Sequence, residues 1–153
     1  MESKSRINVW TTLKDRVSDS LEEEGKKLRI TLLEIEQLSN TIEELSKIKG
    51  DYHPDHLALS EGSASIGQIQ RNWNFVANIE DAIRKTNEQR LFLKKKERDL
   101  RAQCANLEVE VKKYETLEDR ALSKYKKSEA RKEMKAADEI STSFWLRTKD
   151  GST

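Results

Sequence analysis

The chain has 153 residues, of which 35% are apolar and 37% charged, an apolar share too low and a charged share too high for an average globular domain. A large compact core is thereby excluded. Lys plus Arg number 29 and Asp plus Glu 28, a formal net charge of +1, so no global basicity points to nucleic acid or anionic lipid. One Pro and five Gly are too few for a β-sandwich or a disordered linker, which leaves long helices. The single Cys, Cys104, has no intramolecular disulfide partner and sits in a helical heptad pattern, as suits a reducing compartment. The N-terminus lacks the apolar region and small-residue cleavage site of a signal peptide. No stretch approaches the ~18 apolar residues of a spanning helix, so a soluble, cytoplasmic protein is expected.

In the first segment Ile7, Trp10, Val17, Leu21, Leu28, Ile35, Leu38, Ile42 and Leu45 occupy a and d positions of one unbroken heptad frame, with Lys14, Glu24 and Thr31 as polar intrusions. The pattern predicts a first helix over about 5–49. Two starts fit: Ser5 as cap, or a capping box at Thr12-Leu13-Lys14-Asp15. At the other end Lys47 and Lys49 suit the negative end of the helix dipole, Gly50 can take a left-handed cap, and Pro54 disfavours helix at His53.

Residues 50–64 hold the only Pro, both His and two of the five Gly, and read as a hairpin loop with room for one turn at Asp55 to Ser60. Ser65 with Gln68 then gives a second capping box, despite Gly67 in the first turn. From there no Pro or Gly occurs until Gly151. The second frame runs Ile69, Val76, Ile79, Ile83, Leu93, Leu100, Cys104, Leu107, Val111, Tyr114, Ala121 and Tyr125, interrupted by Asn72, Thr86, Arg90, Glu97 and Glu118. It predicts a second helix over about 65–146 with a frayed tail behind it.

The expected fold is therefore all-α: a single-domain, antiparallel two-helix coiled-coil hairpin with a longer, overhanging second helix. At 1.5 Å per residue the two helices span roughly 65 Å and roughly 120 Å. A turn centred near Leu57 pairs residues whose numbers sum to about 115, so Ile7 meets the region of Glu108 and everything beyond about Val111 lacks an internal partner. Yet Val111, Tyr114, Leu117, Ala121, Leu122 and Tyr125 continue the apolar stripe, and unpaired apolar surface of that length marks an interaction site or is covered by a second copy of the chain.

Chemical sites are sparse. His53-Pro54-Asp55-His56 offers two imidazoles and a carboxylate, but zinc needs three or four ligands and the only Cys is far away, so these read as solvated loop residues. No GxxxxGK[ST] phosphate cradle occurs. Cys104 has neither a neighbouring His nor a substrate pocket in a two-helix hairpin. Neither enzyme activity nor a cofactor or metal is expected. The carboxylates interleave with Lys and Arg as on a solvated helix face, Glu129 with Lys132 being one example.

Charge is uneven along the chain: residues 1–65 hold 9 basic and 13 acidic groups, residues 66–153 hold 20 and 15. The basic clusters at Lys94-Lys95-Lys96, Lys112-Lys113, Lys124, Lys126-Lys127 and Arg131-Lys132 alternate with Glu and lack exposed interleaved aromatics. Docking onto an acidic protein surface suits them better than nucleic acid.

Three stretches carry a resemblance: Trp10-Thr11-Thr12-Leu13-Lys14-Asp15, the segment NWNFVANIEDAI from Asn72 to Ile83, and Arg131-Lys132-Glu133-Met134-Lys135-Ala136-Ala137-Asp138-Glu139. In order and spacing around one central loop the sequence resembles the FliJ family, the coiled-coil stalk of the flagellar type III export ATPase, and less closely its injectisome counterparts of the YscO type. The resemblance implies a stalk at the pore of a hexameric export ATPase that promotes ring assembly and activity. It also implies contact with the cytoplasmic domain of the export gate and escort of empty export chaperones, in a protein peripheral to the inner membrane only through its partners. By the same resemblance Phe75, Ile79 and Ala82 stand at gate-contact positions and Leu45, Ile48 and Tyr52 at chaperone-contact positions, with Thr86 departing at the edge of the gate patch. The residues themselves add that Phe75 lies off the seam and is expected to be exposed, whereas Ile79 lies on it. The overhang supplies the expected ATPase-facing stripe: Val111, Tyr114, Leu117, Leu122 and Tyr125 with the cations Lys124, Lys127 and Arg131. An injectisome secretion component or export chaperone, and a homodimeric structural coiled coil, are the alternative functions.

Overall fold

The structure, a computed structural model, describes residues 2–52 and 66–150. The described residues form two α-helices, α1 (Glu2–Asp51, 50 residues) and α2 (Ile66–Asp150, 85 residues). No strand occurs among the described residues. The fold is an all-α, antiparallel two-helix coiled-coil hairpin whose second helix is the longer.

Both helices outrun their predicted bounds. α1 begins upstream of both candidate caps, and the Thr12 hydroxyl donates back to the Asn8 carbonyl at 2.8 Å, the behaviour of a threonine inside a helix rather than at its cap. Gly50 adopts no left-handed conformation; the helix passes through it to Asp51, and the Tyr52 N–H still donates to the Ile48 carbonyl at 3.1 Å. At the far end α2 continues past 146 to Asp150. The candidate turn at Asp55 to Ser60, the His53 to His56 cluster and the Ser65 cap lie outside the described residues.

Two compact units are distinguished, Glu22–Ala105 and Met1–Leu21 with Asn106–Thr153. In the first, every heptad position from Glu24 to Lys49 and from Val76 to Cys104 is buried or half-buried, with Val76, Ile79 and Leu100 the most enclosed apolar side chains. The seam threonines are satisfied within their own helix: the Thr31 hydroxyl donates to the Lys27 carbonyl at 2.9 Å and that of Thr86 to the Ala82 carbonyl at 2.8 Å. Arg90 is only partly satisfied. Its Nη2 donates to Asn87 Oδ1 at 2.8 Å, but its Nε is buried without a hydrogen-bond partner among the described residues. Across the seam Lys49 pairs with Glu80 at 3.2 Å and the rings of Tyr52 and Phe75 meet at 5.1 Å.

In the second unit Ile7, Trp10, Lys14, Val17 and Leu21 are half-buried, as are Leu107, Val111, Tyr114, Glu118, Ala121 and Tyr125. Trp10 stacks on Tyr114 with centroids 6.2 Å apart, Lys14 Nζ lies 3.0 Å from Glu118 Oε2, and the Thr11 hydroxyl lies 2.8 Å from the same carboxylate. Half-burial ends at Ser128 and Glu129, and every residue from Ala130 to Asp150 is exposed.

These contacts correct the expected register. Facing numbers sum to 127 at Tyr52 and Phe75, to 129 at Lys49 and Glu80, and to 129 at Thr11 and Glu118, not to about 115. Tyr52, at the end of α1, meets Phe75 rather than the first residue of α2, so the centre of pairing is displaced from Leu57 towards residue 64. Val111, Tyr114, Ala121 and Tyr125 consequently belong to the internal seam, and the free part of α2 begins after Glu129.

Candidate partner-binding surfaces

In the unit Glu22–Ala105, Ile48 on α1 and Tyr52 just past its end lie four residues apart and are both exposed, while Phe75 on α2 lies one residue before the buried Val76 and so beside the seam. Phe75 is 44% and Tyr52 48% exposed. Their rings meet edge to face at an interplanar angle of 71°, a geometry that satisfies the ring quadrupoles. The two residue groups implied separately by resemblance thus share one surface, with Phe75 touching Tyr52. Their remaining members are less accessible: Leu45 and Ala82 are half-buried, and Ile79, at 6% exposure, is core. Beside this surface Asp81 accepts from Arg84 at 2.6 Å and from Lys85 at 3.2 Å, and these donors hold its carboxyl below the ordinary 3.8.

In the unit of the chain ends, the expected stripe divides. Val111, Tyr114, Leu117 and Tyr125 are half-buried, whereas Leu122, Lys124, Lys127 and Arg131 are exposed. The Thr11 hydroxyl and the Lys14 ammonium both face Glu118 and hold its carboxyl below the ordinary 4.5; the hydrogen bond to Glu118 in turn raises Lys14 above 10.5. Next to this cluster α1 contributes Arg6, Val9 and Trp10, and α2 Leu117, Arg120 and Lys124, to a groove of about 660 Å³. The α1 members were missed from the sequence as surface residues because the expected register set them against a part of α2 more than a turn away. Further along, Met134, Ile140, Phe144, Trp145 and Leu146 are all exposed on the free helix, and Lys149 Nζ stands 4.8 Å from the centre of the Trp145 ring, a cation–π distance.

Among the described residues no group of His, Cys, Asp and Glu is arranged to hold a metal ion. Cys104 is free and half-buried on the seam. No described helix is long and apolar enough to cross a membrane. What the geometry offers is surface: an aromatic patch where Tyr52 meets Phe75, a cation-rimmed groove near the chain ends, and an exposed length of helix from Ala130 on.

Comparison with protein families matches residues 11–150 to the family described as Flagellar FliJ protein. Comparison with curated proteins and with solved structures finds no match.

Proposed function

Because the chain belongs to the FliJ family, and with it to flagellar protein export, we propose that it is the soluble, non-enzymatic stalk of the flagellar type III export apparatus. It binds the hexameric export ATPase, promotes assembly and activity of the ring, contacts the cytoplasmic domain of the export gate and escorts export chaperones, working in the cytoplasm at the inner membrane through its partners. One observation supports this most: α2 continues for the whole of Ala130 to Asp150 with every residue exposed, carrying Met134, Ile140, Phe144 and Trp145. An isolated helix draws little stability from itself and gains it by burying such a face on a partner.

The ATPase meets Leu122, Lys124, Lys127, Arg131 and this free helix, with Val111, Tyr114, Leu117 and Tyr125 supporting them from the seam. The gate meets Phe75 and Ala82, held in place by Ile79. Chaperones meet Ile48 and Tyr52, with Leu45 beneath. The test is the ATP hydrolysis rate of the cognate hexamer with and without the chain, alongside the chain's solution mass by light scattering. Stimulation by a monomer is expected; no stimulation, or a stable homodimer that covers the free helix, overturns the stalk reading.

A further inference from the structure

The groove near the chain ends has a composition that specifies its occupant. Its floor is apolar: Val9, half exposed at 51%, with the half-buried Trp10 and Leu117. Its rim is cationic, with Arg6 from α1 and Arg120 and Lys124 from α2, and no carboxylate lines it. Two carboxylates neighbour the lining residues in the chain: Glu118 is already engaged by Lys14 and Thr11, and Asp119, next to Arg120, does not line the groove. None of the three rim cations forms an ion pair or hydrogen bond among the described residues. Three like charges around an apolar floor repel one another until a negative partner arrives.

We infer that this groove docks an acidic protein segment that inserts an apolar side chain between Val9 and Leu117. The segment belongs to the export ATPase, and this identification rests on the stalk reading above. Nucleic acid fits less well: the groove holds one ring, Trp10, which is half-buried and already stacks on Tyr114, and no second aromatic lines it to extend a base stack. The groove also ends level with Lys124, close before the point where half-burial stops at Glu129. A partner that covers the free helix therefore continues into it without a break.

Two arms test the inference on the full chain. In the first, a fluorescent helical peptide of Glu and Leu is titrated against the wild type, alongside a Lys and Leu peptide and a Glu and Ser peptide. The Glu and Leu peptide is expected to bind about tenfold or more tighter than either control, to weaken as salt rises, and to lose about tenfold in the triple variant Arg6→Glu, Arg120→Glu, Lys124→Glu. Val9→Ser, an exposed change that leaves the fold intact, weakens it without altering the salt dependence. In the second arm the same variants are titrated against the cognate hexamer, and the same order of affinities is expected. Equal binding of the three peptides, a triple variant with wild-type affinity for the hexamer, or displacement of the acidic peptide by single-stranded RNA or by phosphatidylglycerol vesicles overturns the assignment. If the wild type fails to bind the hexamer yet selects the Glu and Leu peptide, the ATPase reading falls while the groove chemistry stands.

Discussion

Leu100 and Leu91 make an internal control for the heptad frame, since both are leucines of α2 and they differ in exposure, 7% against 55%. Full burial of a leucine side chain stabilises by roughly 1.5 to 3 kcal/mol, and a cavity left by truncation adds to the loss, so that Leu→Ala in a packed core costs about 2 to 5 kcal/mol. In a two-helix seam the hole left at position 100 opens towards solvent and is partly relieved, which puts Leu100→Ala near the lower half, about 2 to 3 kcal/mol. Leu91→Ala removes atoms that are mostly in water and gains a little helix propensity, so at most about 0.5 kcal/mol is expected. Thermal and urea melts followed by far-UV circular dichroism measure both; at roughly 2 to 4 °C per kcal/mol for a chain of this size, Leu100→Ala melts about 4 to 12 °C lower and Leu91→Ala within about 2 °C of the parent. Equal losses, or the larger loss at Leu91, would refute the assignment of the buried face.

Arg90→Leu is expected to stabilise by about 1 to 3 kcal/mol in the same melts, because it removes a buried Nε that has no partner and adds apolar contact to the seam; destabilisation would show that the guanidinium is better satisfied than its geometry indicates. A double-mutant cycle of Tyr52→Ala and Phe75→Ala is expected to give a coupling of about 0.5 to 1.5 kcal/mol in stability, and each single variant to weaken binding of the gate domain. Zero coupling would mean that the rings do not meet in solution. For pH the sign follows from Glu118, whose carboxyl is held below its ordinary 4.5: its contribution is present above that value and is lost as pH falls through the lowered folded value. Lys14, raised above 10.5, contributes below that value and loses its contribution as pH rises through the raised folded value, so the melting temperature is expected to be flat between these limits. Glu118→Gln should reduce the acid loss, and an unchanged acid limb would assign it to other groups.

The heptad pattern made most of the fold legible. Each a and d position named from the sequence between Ile7 and Leu45 and between Ile69 and Tyr125 is buried or half-buried, including the polar intrusions Lys14, Glu24, Thr31, Thr86, Arg90 and Glu97. Periodicity reports which face of a helix is covered and says nothing about what covers it, because every heptad looks alike to the one opposite. Hence the pattern alone sets Phe75 beside the seam and Ile79 on it, where the structure has them, but leaves Val111 without its partner. Helix ends were legible only to within a few residues, since Ser, Thr and Gly that favour caps are also tolerated inside a long helix held by its neighbour: Thr12 bonds the carbonyl of Asn8, and Gly50 stays helical. The cation-rimmed groove was not legible at all. It needs Arg6 and Val9 beside Arg120 and Lys124, and that meeting depends on the register.

The register is nonetheless restricted by the sequence once both frames are set side by side. Position a meshes with position d of an antiparallel partner only when facing numbers sum to 114, 121, 128 or 135. Apolar positions hardly discriminate among these, but charged ones do. At 121 Glu24 would face Glu97 and Lys14 would face Leu107; at 135 Val17 would face Glu118 and Leu38 would face Glu97. At 114 the seam residues Val111, Tyr114 and Tyr125 would lose their cover. At 128 Trp10 and Lys14 occupy layers next to Glu118 and Tyr114, and the four side chains cross diagonally: ring stacks on ring at 6.2 Å, and ammonium meets carboxylate at 3.0 Å. A polar pair inside an apolar seam contributes little net stability, because desolvation offsets its attraction, but a slip of one heptad parts Lys14 from Glu118 and sets Lys14 opposite Leu107 or Glu118 opposite Val17. The alignment at 128 carries a mismatch of its own, Arg90 opposite Leu38. The alignment in which Lys14 and Glu118 meet is the one that brings Arg6 alongside Lys124 and leaves the helix beyond Glu129 exposed.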